Sequence, residues 1–327
     1  MTPVAAPASV RDLLRAARER INVPLGDESA APLELRYSSA APPRLADAPA
    51  LETGFAVREV PGAPEPAFAA FLDGVQESRV IAYTHGVPVV VGVTGAVILE
   101  RGPDKRLVAW GDGARVTRTL VLPRVHVDDL TWQALSNETA VEDSGARADA
   151  LHPDTLLGDA VSRVEGLRAA SERALALAWS ERESRPLAAD GSITGLGAAA
   201  SSAHVIGIVK SHRTLYAPAA ALTSLYALPV GARTPAFLLT PSDGRAQAQS
   251  WYLRLRPASA ANPLHGLVRI EIAPARDVSA RADEASRWVL AERTPIALPD
   301  ARWDVMSYGI ARCEAYLKRG LALRART

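Results

Sequence analysis

Apolar positions along this chain fall into two rhythms, one of period two and one of period 3.6. From Pro66 the extended rhythm comes first. Residues 67–72 lead into Asp73, and residues 79–83, the β-branched run 87–99 and residues 106–110 follow, separated by Gly86, Gly102 and Asp112-Gly113. Runs of this composition between turn formers predict a meander of about three strands. Residues 117–127 extend that sheet or lead out of it. The helical rhythm is clearest over residues 156–179, where Leu157, Ala160, Val161, Val164, Leu167, Ala174, Leu175 and Ala178 form one apolar stripe. Glu165, Arg168 and Glu172 stand along its border.

Beyond this helix the pattern predicts a short strand into Asp190, a strand over 204–210 and a helical or irregular stretch over 218–228. A strand over 236–240, a hairpin of 250–256 with 267–272, and two closing helices over 279–291 and 305–323 complete it. Strands, a helix, further strands and terminal helices make a mixed α/β order. Ahead of it, residues 10–21 carry Val10, Leu13, Leu14 and Ala17 at helical spacing. A Pro- and Ala-rich connection over 24–64 follows, with one or two short extended pieces. The expected division is an N-terminal helical and extended arm, 1–65, making dimer or partner contacts, and a main domain, 66–327.

Composition narrows the class. With 48% hydrophobic residues the chain can bury a core, yet no apolar run approaches the roughly 20 residues that span a bilayer. Residues 1–10 lack the basic start and long apolar stretch of a secretory signal. The expectation is a cytoplasmic protein without a membrane segment. A single cysteine, Cys313, excludes an internal disulfide framework and a zinc site built on several thiolates. The net charge of +1 announces no global basic field, although a local groove can be basic on a neutral protein. Of 37 basic residues only Lys105, Lys210 and Lys318 are lysines. A compact ammonium kept where arginine is the default is a hint of function at those positions.

Four Asp-Gly pairs occur. Asp112-Gly113 and Asp243-Gly244 read as turns between strands. Asp73-Gly74 and Asp190-Gly191-Ser192 read instead as corners at strand ends, where a carboxylate beside a small residue leaves room for a divalent cation and a phosphate. An apolar run, residues 205–209, then ends in Lys210. His204 and His212 flank that run and are expected to be structural, and His126 with Asp128 and Asp129 is expected to form a polar loop.

Asp73 after a first strand, Glu172 on a helix and Asp190 at a later strand end stand in an order that resembles the NurA nuclease family. The matching pieces are Phe71-Leu72-Asp73-Gly74, the helix around Arg168 and Glu172, Ala189-Asp190-Gly191-Ser192, Gly207-Ile208-Val209-Lys210-Ser211 and a final helix carrying Tyr308. The resemblance spans about Pro66 to the C-terminus. It implies an RNase H-like mixed β-sheet flanked by helices, and a nuclease dependent on Mn2+ or Mg2+ that cuts DNA ends or single strands. It also implies a homodimer working with a hexameric HerA-type ATPase. Two departures stand out. Val75 follows Gly74 where the family has serine, and Tyr316 sits where the family has a histidine on the last helix.

Phosphodiester hydrolysis with two cations needs hard oxygen ligands. Within the resemblance Asp190 bridges the metals, Asp73 and Glu172 hold one each, and Glu314 completes the second. Lys210 binds the scissile phosphate. Three close carboxylates repel, so at least one is expected to have a raised pKa without metal. Arg168, Arg254, Arg256 and Arg269 are the candidates for contacting nucleic acid. Two rival readings stand beside the nuclease. One is an inactive adaptor of the same fold, docked on the ATPase. The other is a phosphotransferase of the sugar-kinase type using the glycine-rich residues 191–197.

Overall fold

The computed structural model describes residues 32–37, 42–54, 56–84, 86–294 and 307–325. The helix expected over 10–21 and the first residues of the closing helix, 305–306, lie outside the described residues. The strands are β1 (Arg44–Ala46), β2 (Arg58–Glu59), β3 (Ala70–Thr84), β4 (Val87–Arg101), β5 (Leu107–Ala109), β6 (Arg115–Leu122) and β7 (Val141–Asp143). After them come β8 (Leu187–Asp190), β9 (Val205–Val209), β10 (Thr214–Tyr216), β11 (Ala232–Arg233), β12 (Phe237–Leu239), β13 (Ala248–Arg254) and β14 (Leu267–Ile272). The α-helices are α1 (Asp129–Ser136), α2 (Pro153–Arg182), α3 (Leu222–Tyr226), α4 (Val278–Ala291) and α5 (Tyr308–Ala325).

Twelve strands form one mixed sheet in the order β2-β11-β13-β14-β9-β8-β3-β4-β6-β7, with β12 on β13 and β5 on β4. The meander β3-β4-β6 is antiparallel. β8 and β9 are then added parallel to β3. A parallel neighbour needs a crossover, and α2 supplies the one between the meander and β8. Strands covered on both faces read as continuous apolar runs, as Leu187-Ala188-Ala189 and residues 205–209 do.

Alternation along these strands feeds two cores. Leu72, Ala96, Ile98 and Ala189 pack under Leu175, Ala176 and Trp179 of α2. Phe71, Val97, Ala188, Ile206 and Ile208 pack under α4 and α5, through Trp288, Val289, Ile310, Cys313 and Leu317. Each fully buried side chain of this size contributes about 1.5–3 kcal/mol. The result is an α/β protein whose mixed sheet is flanked by helices on both faces, and no described helix is long and apolar enough to cross a membrane.

Two local expectations are corrected here. Asp73-Gly74 is not a corner: β3 runs straight through it for 15 residues, merging the segments expected at 67–72 and 79–83. The long pairing with β4, continued through a bulge between Val80 and Ala82, outweighs the turn tendency of the dipeptide. The polar loop expected around Asp128 is the start of α1. Asp128 accepts from the Thr131 N–H at 2.9 Å and its hydroxyl at 2.8 Å, so it is a helix cap.

The described residues ahead of Pro66 join this body through β2, which pairs with β11, and through charge. Glu52, its side chain 5% exposed, accepts from Arg233 at 2.7 Å, and Arg233 also donates to Asp283 of α4 at 2.6 Å. Burial opposes ionisation of Glu52, but Arg233 and the Ala236 N–H outweigh it and hold its pKa at about 2, against an ordinary 4.5. A depressed carboxylate pKa stabilises the fold above about pH 4.5, and that contribution is lost as pH falls towards 2. With partial solvent screening it is on the order of 2–3 kcal/mol. Thermal melts should therefore show Glu52→Gln well below the unmodified chain at pH 7, with the gap narrowing below about pH 4.5 and closing only towards pH 2. A gap independent of pH would assign Glu52 a packing role only.

Candidate active site

The parallel register of β3 and β8 pairs Leu72 with Ala189, which sets Asp73 beside Asp190 on adjacent strands. Adjacent strands lie about 4.8 Å apart, so the two carboxylates share one face at the sheet's centre. One strand further, Asp190 is in register with Ile208, and Lys210 follows the end of β9. Its Nζ lies 2.9 Å from Asp190 Oδ2.

Glu172 arrives from the other side of the sheet, on α2. Gly74 makes this possible: a Cβ there would lie 2.2 Å from Glu172 Oε1. Glu172 is held by Arg168 one turn earlier, and Arg168 Nε donates to Gln76 Oε1 at 3.0 Å. Arg168 is thus engaged by β3 and by Glu172, at the edge of a small cavity of about 270 Å³ lined also by Glu34, Tyr37 and Gly74. Asp73, Glu172, Asp190 and Lys210 are brought together.

Electrostatics within this group are strong. Asp73 is 7% exposed. Burial above all, then the Asp190 charge, pushes its pKa up to about 7, against the pull of Lys210 and a hydrogen bond from the Gly74 N–H. Burial also raises Glu172, while Arg168 draws it down. Asp73 and Glu172 are both raised, as expected for at least one carboxylate here, but burial rather than mutual repulsion is the main cause.

The Asp190 corner does turn, at Gly191 with φ of 104°. Behind it the chain packs so closely that a Cβ on Gly207 would lie 2.6 Å from the Gly191 carbonyl oxygen. Glu271, wholly buried on β14, fixes this loop. It accepts from the Ser192 hydroxyl at 2.7 Å and the Ile193 N–H at 3.0 Å, and Arg269 donates to its other oxygen at 2.7 Å. Sequence reasoning missed Glu271. The signal was present, since Arg269 and Glu271 place two charges at alternate positions of the otherwise apolar Leu267–Ile272.

The last helix closes the opposite side. Its buried stripe is Ile310, Cys313 and Leu317, and the Cys313 thiol donates to the Phe71 carbonyl at 3.2 Å. Burial raises the Cys313 pKa, and the charges of Asp73 and Asp190 add to the rise, so the thiol faces the carboxylates in its protonated form. Tyr316 points elsewhere, 46% exposed.

Four sequence candidates fall outside the centre. Glu314 pairs with Lys318 one turn on, at 2.6 Å, with a side chain 46% exposed. The helical phase that buries Cys313 directs Glu314 away. Arg254 is wholly buried and donates to the carbonyls of Leu225, Tyr226, Leu228, Pro263 and His265, so it lines no nucleic-acid surface. Arg269 is buried, pairs with Glu271 and lies 4.9 Å over the Tyr216 ring. Arg256 is half-buried and donates to the Arg293 carbonyl at 2.8 Å. For Arg254 and Arg269 the sequence shows a charge on a strand, and the cross-strand neighbours decide which face it meets.

Among the described residues no three His, Cys, Asp or Glu side chains form a ready-made ion cage. Lys210 and Arg168 hold Asp190 and Glu172 in ion pairs. The donor chemistry nevertheless suits a hard divalent cation: the carboxylates supply oxygen alone, and a cation would offset both the burial and the Asp190 charge that raise Asp73. No protein-family model matches this chain, and no curated protein matches it.

Proposed function

We propose that the chain is a metal-dependent DNA nuclease of the NurA type, with an RNase H-like core and a catalytic centre at Asp73, Glu172, Asp190 and Lys210. The observation that carries this reading is the convergence of three carboxylates and a lysine from β3, α2, β8 and the end of β9. The strand order supports it as well. An antiparallel meander, a long helix and two strands parallel to the first put Asp73 and Asp190 side by side.

Asp73, Asp190 and Glu172 are the residues that would hold Mn2+ or Mg2+, which supplies an acidified water and balances charge on the leaving oxygen. The chain's own groups do the rest. Lys210, released from Asp190, neutralises the scissile phosphate. Arg168, anchored on Gln76, orients Glu172 and offers its guanidinium to a neighbouring phosphate. Glu271 and Gly207 keep the Asp190 corner in place. A homodimer acting with a HerA-type ATPase belongs to the same proposal.

A second reading is favoured by one specific observation. The ion pairs Lys210–Asp190 and Arg168–Glu172 already balance two carboxylates, as suits an inactive adaptor that keeps the fold for docking on the ATPase. Incubation with linear single- and double-stranded DNA separates the two. Degradation that requires manganese and stops with chelator is expected. No cleavage, even with a HerA-type ATPase and ATP present, would leave the adaptor.

A further inference from the structure

On the outer side of α5 a cleft of about 570 Å³ opens between this helix and the loop after β5. Its floor is apolar, with Leu99, Leu107 and Val116, and Asp112 and Gly113 form the facing wall. Along the helix wall stand Arg312, Tyr316 and Arg319. Their spacing of four and then three residues puts all three on one stripe, with the arginines two turns, about 10 Å, apart. All three are exposed. Neither arginine has an ion-pair partner among the described residues.

An exposed tyrosine between two uncommitted guanidinium groups, over an apolar floor, has the chemistry of a single-strand nucleic-acid subsite. A base stacks on the aromatic face while flanking phosphates meet the cations. Asp112 opposite suits an N–H donor on the edge of an unpaired base rather than a phosphate. The cleft also has a position consistent with use. The same helix turns Cys313 to the Phe71 carbonyl, two residues before Asp73, so the cleft and the carboxylates flank one element.

We propose that this cleft binds one unpaired stretch of nucleic acid, with Tyr316 as the stacking platform and Arg312 and Arg319 as phosphate contacts. The proposal deepens the nuclease reading and rests on it for the identity of the polymer. Binding does not require cleavage, so the two can fail separately.

The test is fluorescence anisotropy with a labelled oligothymidylate and with a duplex of equal length, in chelator so that nothing is cut. The full chain is compared with Tyr316→Ala, Tyr316→Phe and the double variant Arg312→Gln/Arg319→Gln. Tyr316→Ala should weaken oligothymidylate binding about tenfold, and Tyr316→Phe should restore it. The double arginine variant should lower the slope of log affinity against log salt by about 1.4. Because these side chains are exposed, unchanged melting temperatures should accompany the losses.

Equal affinities across the variants would overturn the proposal. So would a chain that binds neither probe, or one that prefers duplex and is indifferent to Tyr316; in those cases the cleft is left to a protein partner. A parallel cleavage assay with manganese, a HerA-type ATPase and ATP keeps the readings apart. Binding that depends on Tyr316 without any cleavage sinks the nuclease and spares the cleft, and cleavage with indifferent variants does the reverse.

Discussion

Asp190→Ala is expected to reduce manganese-dependent DNA cleavage about 10³-fold, to the level seen with chelator. Asp190 is the member of the group whose charge acts on all the others. It stands beside Asp73 on the adjacent strand, forms an ion pair with Lys210 at 2.9 Å, and its charge raises both Asp73 and Glu172. Its removal should act on metal binding as well as on rate. Manganese should raise the melting temperature of the unmodified chain, since a ligand bound only by the folded state stabilises it, and should leave that of Asp190→Ala unmoved. The side chain is partly exposed and holds no backbone group, so the variant should fold. Cleavage retained in Asp190→Ala would remove the catalytic centre from this position. Manganese stabilisation without cleavage would point to a metal-binding adaptor.

The largest stability effect is expected at Arg254. Its guanidinium is wholly buried, with no carboxylate partner among the described residues, and is spent on five main-chain carbonyls around α3 and the 257–266 connection. Burial lowers its pKa, yet those carbonyls retain the charge by accepting all of its donors. Arg254→Met keeps most of the volume and removes every donor. Several buried carbonyls then lose their partner at once, a change worth about 3–5 kcal/mol. Urea denaturation should register this as a lower midpoint with an unchanged slope. DNA binding below the transition should keep its salt dependence, because no phosphate contact is lost. The opposite pattern, normal stability with a weaker salt slope, would return Arg254 to the nucleic-acid surface.

How far each feature was legible follows from the kind of force that creates it. The helix over 156–179 is seen as Pro153–Arg182, and the hairpin of 250–256 with 267–272 as β13 and β14, because periodicity is a local property. The Asp73-Gly74 corner was misread because a dipeptide's turn tendency is weak beside pairing on both edges of a central strand. The arginines on strands were assigned to a surface because sequence shows alternation without showing what covers each face.

By itself the sequence determined the alternating strand and helix segments, the apolar stripe of α2, the turns at Asp112-Gly113 and Asp243-Gly244, and the order in which Asp73, Glu172, Asp190 and Lys210 occur. These follow from propensity and period, which act over a few residues. Only the tertiary structure decided that β8 inserts between β3 and β9, which makes Asp73 and Asp190 neighbours across more than a hundred residues of chain. It also decided that Gly74 makes way for Glu172, that Glu271 anchors the Asp190 corner, and that α5 turns Cys313 inward and Tyr316 outward. Those outcomes depend on strand order, register and helix rotation, which long-range burial sets and no short stretch of sequence encodes.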